Sequence, residues 1–214
     1  MTNGIFVSGI GTEVGKTVVS AILVEALRAD YWKPVQSGDL DHTDTDKVLS
    51  WTSFGVRVHP EQYRLHTPAS PHASAAIDGV DIRLDAFQLP RTGNFLVVEG
   101  AGGLMVPLND RHLIIDLIGY LGLPVVLVSR HYLGSINHTL LSVEALQRRG
   151  IPVAALIFNG DPHPTTEPAI EQFGGIAGLL NVPDLPSVDR AQVARVAGKL
   201  AEPLRIFRKQ LIGR

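Results

Sequence analysis

The sequence predicts a single-domain α/β fold, a mainly parallel central sheet with helices on both faces. Three observations predict it: short, almost wholly apolar runs recur, segments of helical spacing lie between them, and a glycine-bearing turn joins the first run to the first helix. Runs apolar on both faces suit strands buried between two helical layers. With 214 residues, 45% of them hydrophobic, the chain can bury one sizeable core.

The elements follow in order. Ile5–Val7 is the first strand and Val18–Ala29 an amphipathic helix after it. Trp32 falls in a second strand, with Lys33 at or near its C-terminal end. Four acids, Asp39, Asp41, Asp44 and Asp46, precede a helical run at Lys47–Trp51. From about His59 to Arg91, prolines and the lack of a strong strand signal predict loops and short helices on one edge of the sheet. Phe95–Val98, Val125–Val128 and Val153–Phe158 are the remaining apolar strands. Ser135–Arg149 is a helix with Ile136, Leu140, Val143 and Leu146 on one side, closed by Gly150 and Pro152. Asp161-Pro-His-Pro-Thr is a rigid turn before a helix starting near Thr165, and Arg205–Arg214 reads as a core-docking helix with a solvated basic face. Strands alternating with helices imply right-handed crossovers.

Composition narrows the function. Charged residues make up 19% and the formal net charge is −2, so nothing electrostatic favours nucleic acid or an anionic membrane as partner. There are no cysteines, which removes disulfides, thiolate nucleophiles and cysteine–zinc sites together. The eight histidines lack paired metal-ligand spacing. Met1-Thr2-Asn3 leads almost directly into a strand without the pattern of a signal peptide, and runs such as Pro124–Val128 are too short to span a bilayer. A cytoplasmic protein is expected.

VSGIGTEVGKT, Val7–Thr17, ends in the Gly-Lys-Thr of a phosphate-binding loop. The usual spacing, G-x-x-x-x-G-K-[ST], would put glycine at Ile10, whereas Gly9 and Gly11 flank that position. Strand, small-residue loop and helix is nevertheless the setting such a loop requires, and Gly9 and Gly11 are expected to supply its φ > 0 freedom. Backbone N–H groups and the helix dipole would converge on an anion, Lys16 would reach the β and γ phosphates, and Thr17 would bind Mg²⁺. The plainer alternative, a glycine turn with a surface lysine, puts a cation unfavourably at a helix N-terminus.

Glu99-Gly-Ala-Gly-Gly103 follows an apolar strand, where strand ends face the ligand crevice, so Glu99 is a candidate for Mg²⁺ and its glycines would let something bulky approach. Acids at a helix start are commonly caps, and spacing alone chooses no ligand among Asp39, Asp41, Asp44 and Asp46. Lys33 would bring a second cation to the crevice, suited to charge building on a transferring phosphoryl group.

Six ordered segments carry a closer resemblance: VSGIGTEVGKT, YWKPVQSG, SPH at Ser70–His72, VEGAGG at Val98–Gly103, PLND at Pro107–Asp110 and LGSINH at Leu133–His138. In these the chain resembles the dethiobiotin synthetases of the P-loop NTPase superfamily. The resemblance implies ATP-driven ring closure on 7,8-diaminopelargonic acid with CO₂ or bicarbonate, giving dethiobiotin, ADP and phosphate. An N7 carbamate would attack the γ-phosphorus, and the N8 amine would then close the urea and expel phosphate. The cofactors implied are ATP, or another nucleoside triphosphate, and Mg²⁺.

By position, the resemblance makes Thr17, Asp46 and Glu99 the metal ligands, Asp46 being selected by the Thr-Asp pair before its helix. Glu13, Val14, Gly15, Lys16, Thr17 and Val18 would wrap the phosphates, with Gly100, Ala101 and Gly102 also at the nucleotide. Lys33 matches the family's catalytic lysine, with Lys16 as its companion, while Thr12 and Ser37 would contact the diamine. Gly134, Ser135 and Asn137 would bind the substrate carboxylate from a second subunit, implying a homodimer with sites at the interface. Asn159 matches the residue that reads adenine, followed by Gly160 where aspartate often stands. Val182, Pro183 and Asp184 match the second base-contacting turn.

Two other readings compete. A corrin a,c-diamide synthetase would need a fused glutaminase domain with a nucleophilic cysteine, for which the chain has neither room nor residue. A non-catalytic nucleotide switch of the partition-ATPase type would carry its signature lysine where this chain has Gly11.

Overall fold

The computed structural model describes residues 3–176 and 179–212. Nine strands and seven helices are described, in the order β1 (Gly4–Gly9), α1 (Lys16–Leu27), β2 (Asp30–Trp32), β3 (Val35–Ser37), α2 (Asp44–Trp51), β4 (Val58–His59), β5 (Tyr63–Leu65), α3 (Pro71–Asp78), β6 (Leu96–Gly103), α4 (Ile114–Leu121), β7 (Val125–Ser129), α5 (Ser135–Arg148), β8 (Val153–Asn159), α6 (Thr166–Gly174), β9 (Leu179–Val182) and α7 (Arg190–Ile212). Seven strands form one sheet in the order β4-β2-β6-β1-β7-β8-β9, with every pairing parallel. The expected α/β architecture is therefore present.

The apolar runs explain why the sheet is sandwiched. Alternate residues point to opposite faces, and here both faces are core. Phe6, Leu96, Val98, Leu127 and Phe158 pack with Ile115, Ile118, Val143 and Ile170, on the side of α4, α5 and α6. Ile5, Val7, Val97, Val126 and Ile157 pack with Ile22, Val48, Val193 and Val196, on the side of α1, α2 and α7.

Several expectations change. Helix α1 is not amphipathic: Val19, Ala21, Ile22, Leu23 and Val24 are all nearly inaccessible, because α7 covers the face turned away from the sheet. Helix α7 docks upstream through Val193, Val196, Ala197 and Leu204, and Ile206, within the expected docking segment Arg205–Arg214, is half exposed. The side chains of Phe207, Arg208 and 210–214 lie outside those described. The stretch expected as loops and short helices also holds strands. β4 extends the main sheet beside β2, and β5 pairs with β3 in a small parallel sheet. Helix α4 and strand β9 were not anticipated.

Among the described residues, no helix is long and apolar enough to cross a membrane.

Candidate active site

The phosphate loop leaves the buried strand β1 and enters α1 through Gly15. Its left-handed residues are Glu13, at φ 59, and Gly15, at φ 91. A side chain at Gly15 would also come within 2.0 Å of Asn159 Nδ2, so glycine is needed there on two counts. Gly9 and Gly11 do not supply positive φ, contrary to the sequence reading. Gly9 is required because a Cβ would lie 2.6 Å from Val14 Cγ2, whereas the space beside Gly11 is open. The shifted spacing thus reflects packing against Val14.

Lys16 Nζ is buried and donates to Gly11 O at 3.0 Å, curling back over its own loop. Burial and then the charge of Lys33 pull its pKa down to about 8, against the opposing influence of Glu99 and Asp44. An anion in the loop would reverse that shift.

Strand register assembles the second half of the site. Trp32 pairs with Val98, so the next residue, Lys33, comes abreast of Glu99, and Val7 flanks Glu99 on the other side. Lys33 Nζ lies 3.0 Å from Glu99 Oε1 and 2.7 Å from Asp44 Oδ2, and donates to Gly100 O at 3.3 Å. Glu99 is inaccessible to solvent; its Oε1 also accepts from Thr17 Oγ1 at 2.8 Å, and its Oε2 from Tyr31 Oη at 2.9 Å. Burial alone would lower the Lys33 pKa, but Glu99 and Asp44 together hold it above the ordinary lysine value. Burial would likewise raise Asp44, yet Lys33 and Lys47 bring it down to about 2. Burial and Glu99 push the Tyr31 phenol well above its usual value, so it remains a donor.

Asp46, the acid selected from the sequence, is not in this cluster. It is exposed, and its Oδ2 accepts from Thr43 N at 2.9 Å and Thr43 Oγ1 at 2.7 Å, while Thr43 Oγ1 accepts from Asp46 N. That is the capping box of α2, which holds the carboxylate low in pKa and occupied at the helix start. Asp44, two residues earlier, faces Lys33 instead. HTDTDK holds two Thr-Asp pairs, and the Thr43-x-x-Asp46 spacing is the signal that Asp46 is the capping-box partner of Thr43.

A cleft of about 780 Å³ joins these parts, walled by Thr12, Glu13, Gly15, Lys16, Thr17 and Val18 on the loop side and by Lys33, Ser37, Asp44, Glu99, Ala101 and Gly102 opposite. Ser37 Oγ is buried there without a hydrogen-bond partner among the described residues. Sequence reading missed the Pro68–Pro71 rim of the cleft and Tyr31 beneath Glu99, although SPH had been singled out. The glycines after Glu99 accommodate the protein's own atoms: a Cβ at Gly100 would meet Phe6 at 2.7 Å, and one at Gly103 would meet the loop at Gly11 and Gly9.

The remaining expected residues fall into two groups. Asn159, Gly160 and Val182–Asp184 gather at the ends of β8 and β9 beside the loop. Asn159 Nδ2 donates to Val14 O at 3.2 Å, Gly160 N donates to Val182 O at 2.8 Å, and Asp184 pairs with Arg130 at 3.7 Å. Gly134, Ser135 and Asn137 open α5 outside the cleft lining, Ser135 buried and Asn137 exposed.

Fold and site together define a P-loop nucleotide-binding protein. Solved structures with similar folds include a ParA family ATPase from Chlorobium tepidum (TM-score 0.58, 13% identity, covering 94% of this chain and 99% of that one). Another is the septum site-determining protein MinD complexed with Mg-ADP from Pyrococcus horikoshii (TM-score 0.58, 15% identity, covering 99% and 96%). An AAA domain family model matches residues 3–192. Curated relatives narrow the class: the ATP-dependent dethiobiotin synthetase BioD of Christiangramia forsetii is 51% identical over 99% of both chains. The enzyme of that name from Rhodopseudomonas palustris strain BisB18 is 51% identical over 89% of this chain and 91% of its own. The chain belongs to the dethiobiotin synthetase family.

Two outcomes follow from this geometry. Asp44→Asn should cut turnover at least about a hundredfold, whereas Asp46→Asn should retain turnover and lose only about 1 kcal/mol in urea unfolding. Nucleotide affinity should fall as pH rises through about 8, because below that value Lys16 is already charged and above it binding must draw in a proton. Calorimetry in buffers of different ionisation enthalpy should show that uptake in alkaline solution, and Lys16→Arg, charged throughout, should abolish it.

Proposed function

We propose that this chain carries out Mg²⁺-dependent, ATP-driven carboxylation and ring closure of 7,8-diaminopelargonic acid with CO₂, giving dethiobiotin. The observation that carries the reading is the convergence of Lys16, Thr17, Lys33, Asp44 and Glu99 on one cleft. Thr17, Asp44 and Glu99 would hold the metal. Their oxygens already surround a cation, Lys33 Nζ, or bond to one another, as the distances above record. Two carboxylates and a hydroxyl are also a sufficient protein share for Mg²⁺ when phosphates and water complete its sphere. Among the described residues no cluster of three or more His, Asp or Glu side chains forms a self-sufficient metal cage, which agrees with a metal that arrives with its nucleotide. Bound there, Mg²⁺ would neutralise phosphate charge and orient the triphosphate.

The chain's own groups account for the rest. Loop amides and Lys16 grip the phosphates, and Lys33 offsets the negative charge that a substrate carbamate and the γ-phosphoryl group bring together. Ser37 offers the diamine a buried hydroxyl that has no hydrogen-bond partner among the described residues. Asn159, Gly160 and Val182–Asp184, at the ends of β8 and β9, would receive the base.

The substrate carboxylate is assigned to Gly134, Ser135 and Asn137 of a second copy. Leu133 is fully exposed beside them, and Tyr132 (45%), Ile136 (39%) and Leu141 (54%) are exposed nearby. An apolar face of this kind next to a helix N-terminus supports pairing of two chains around the site. The single-domain organisation and a cytoplasmic location belong to the same reading.

Mass spectrometry after incubation with diaminopelargonate, bicarbonate, Mg²⁺ and ATP should detect the cyclic urea; a folded protein that forms none refutes the reading. Lys33→Ala should lower that rate at least about a hundredfold while the chain remains folded. In light scattering, Leu133→Asp should shift the dimer to monomer and remove turnover with it; an active monomer would refute the shared site.

A further inference from the structure

Glu99 has two oxygens with different partners. Oε1 takes the Thr17 hydroxyl at 2.8 Å and the Lys33 ammonium at 3.0 Å; Oε2 takes the Tyr31 hydroxyl at 2.9 Å. We infer that Tyr31 is a positioning residue for the metal: by holding Oε2, it leaves Oε1 as the single oxygen that Glu99 presents to the divalent cation beside Thr17.

The case begins with the place of Tyr31 in the core. It lies in β2, wholly buried, opposite Val97 of β6 and packed within the cluster that holds Ile5, Val7 and Val48. Phenylalanine would provide the same packing there. A hydroxyl added to such a position costs free energy unless it is bonded, and the bond it makes is to Glu99. Tyrosine at this position is therefore explained by the carboxylate it reaches.

A carboxylate on a flexible side chain can turn one oxygen or both toward a cation. With Oε2 tied to a ring locked in the core, rotation of the Glu99 carboxylate is arrested and its ligation is restricted to one oxygen. Thr17 bonds Oε1 directly and Asp44 is linked to it through Lys33, so the direction that Oε1 faces decides whether the oxygens converge. Partners of this kind behind a metal ligand are typically worth about ten- to a hundredfold in metal affinity.

The inference rests on the metal–triphosphate reading of the site. The test is Mn²⁺ titration by electron paramagnetic resonance on the full chain with the non-hydrolysable nucleotide AMP-PNP. Tyr31→Phe should weaken Mn²⁺ binding at least about tenfold. In a Glu99→Gln background the same change should alter it by less than about twofold, since Tyr31 acts through that carboxylate. Unchanged Mn²⁺ affinity in Tyr31→Phe, or an equal loss in both backgrounds, would overturn the assignment and leave Tyr31 a packing residue. If Tyr31→Phe does not fold, crystals of the parent with Mn²⁺ and AMP-PNP decide. Ligation through Oε1 with Oε2 still on Tyr31 supports the inference; two-oxygen ligation, or Oε2 turned from Tyr31, overturns it. A parent chain that takes up no Mn²⁺ with the nucleotide overturns the underlying reading as well, which separates the two failures.

Discussion

A carboxylate sealed from solvent organises this molecule. Glu99 has no accessible surface, and a lone anion in that position would be strongly disfavoured. It is stabilised by Thr17 from α1, Tyr31 from β2 and Lys33 just beyond β2, and through Lys33 it is linked to Asp44 of α2. Four elements thus meet at one charge. Because the pairing is buried, its electrostatics are screened little by water or salt, and its geometry is set by packed strands rather than by mobile side chains.

The same cluster places two ammonium groups close together. Lys16 and Lys33 face one cleft, and the pKa of Lys16 is depressed first by burial and then by the charge of Lys33. Lys33 has carboxylates as partners, whereas Lys16, among the described residues, donates to the carbonyl of Gly11. A phosphate chain would supply the missing counter-charge. The electrostatics of the loop would then be completed by its ligand, in the left-handed conformation that Glu13 and Gly15 already hold.

Asn159 ties this loop to the far half of the sheet by donating to Val14 O, across the position where only glycine fits at residue 15. The expected base-reading residue is thus also a structural neighbour of the phosphate loop. On the other flank, α1, which begins at the loop, is enclosed between the sheet and α7 along its length. Rigid elements around a strained loop suit a site that must hold reacting groups in line.

What the sequence determined by itself is what depends on local pattern. The doubly apolar runs required buried parallel strands, Gly15-Lys16-Thr17 after one of them pointed to an anion site, and Lys33 was legible at a strand end, whereas Glu99, expected to follow its strand, lies inside β6. The tertiary structure decided what depends on register and on neighbours distant in the chain. Asp44 rather than Asp46 faces the cleft because Asp46 is held by Thr43 in the capping box of α2, and α1 is buried all round because α7 returns to cover it. Tyr31 reaches Glu99 only through the pairing of β2 with β6. Periodicity and spacing report one element at a time, whereas a buried ion's partners are set by how several elements are stacked.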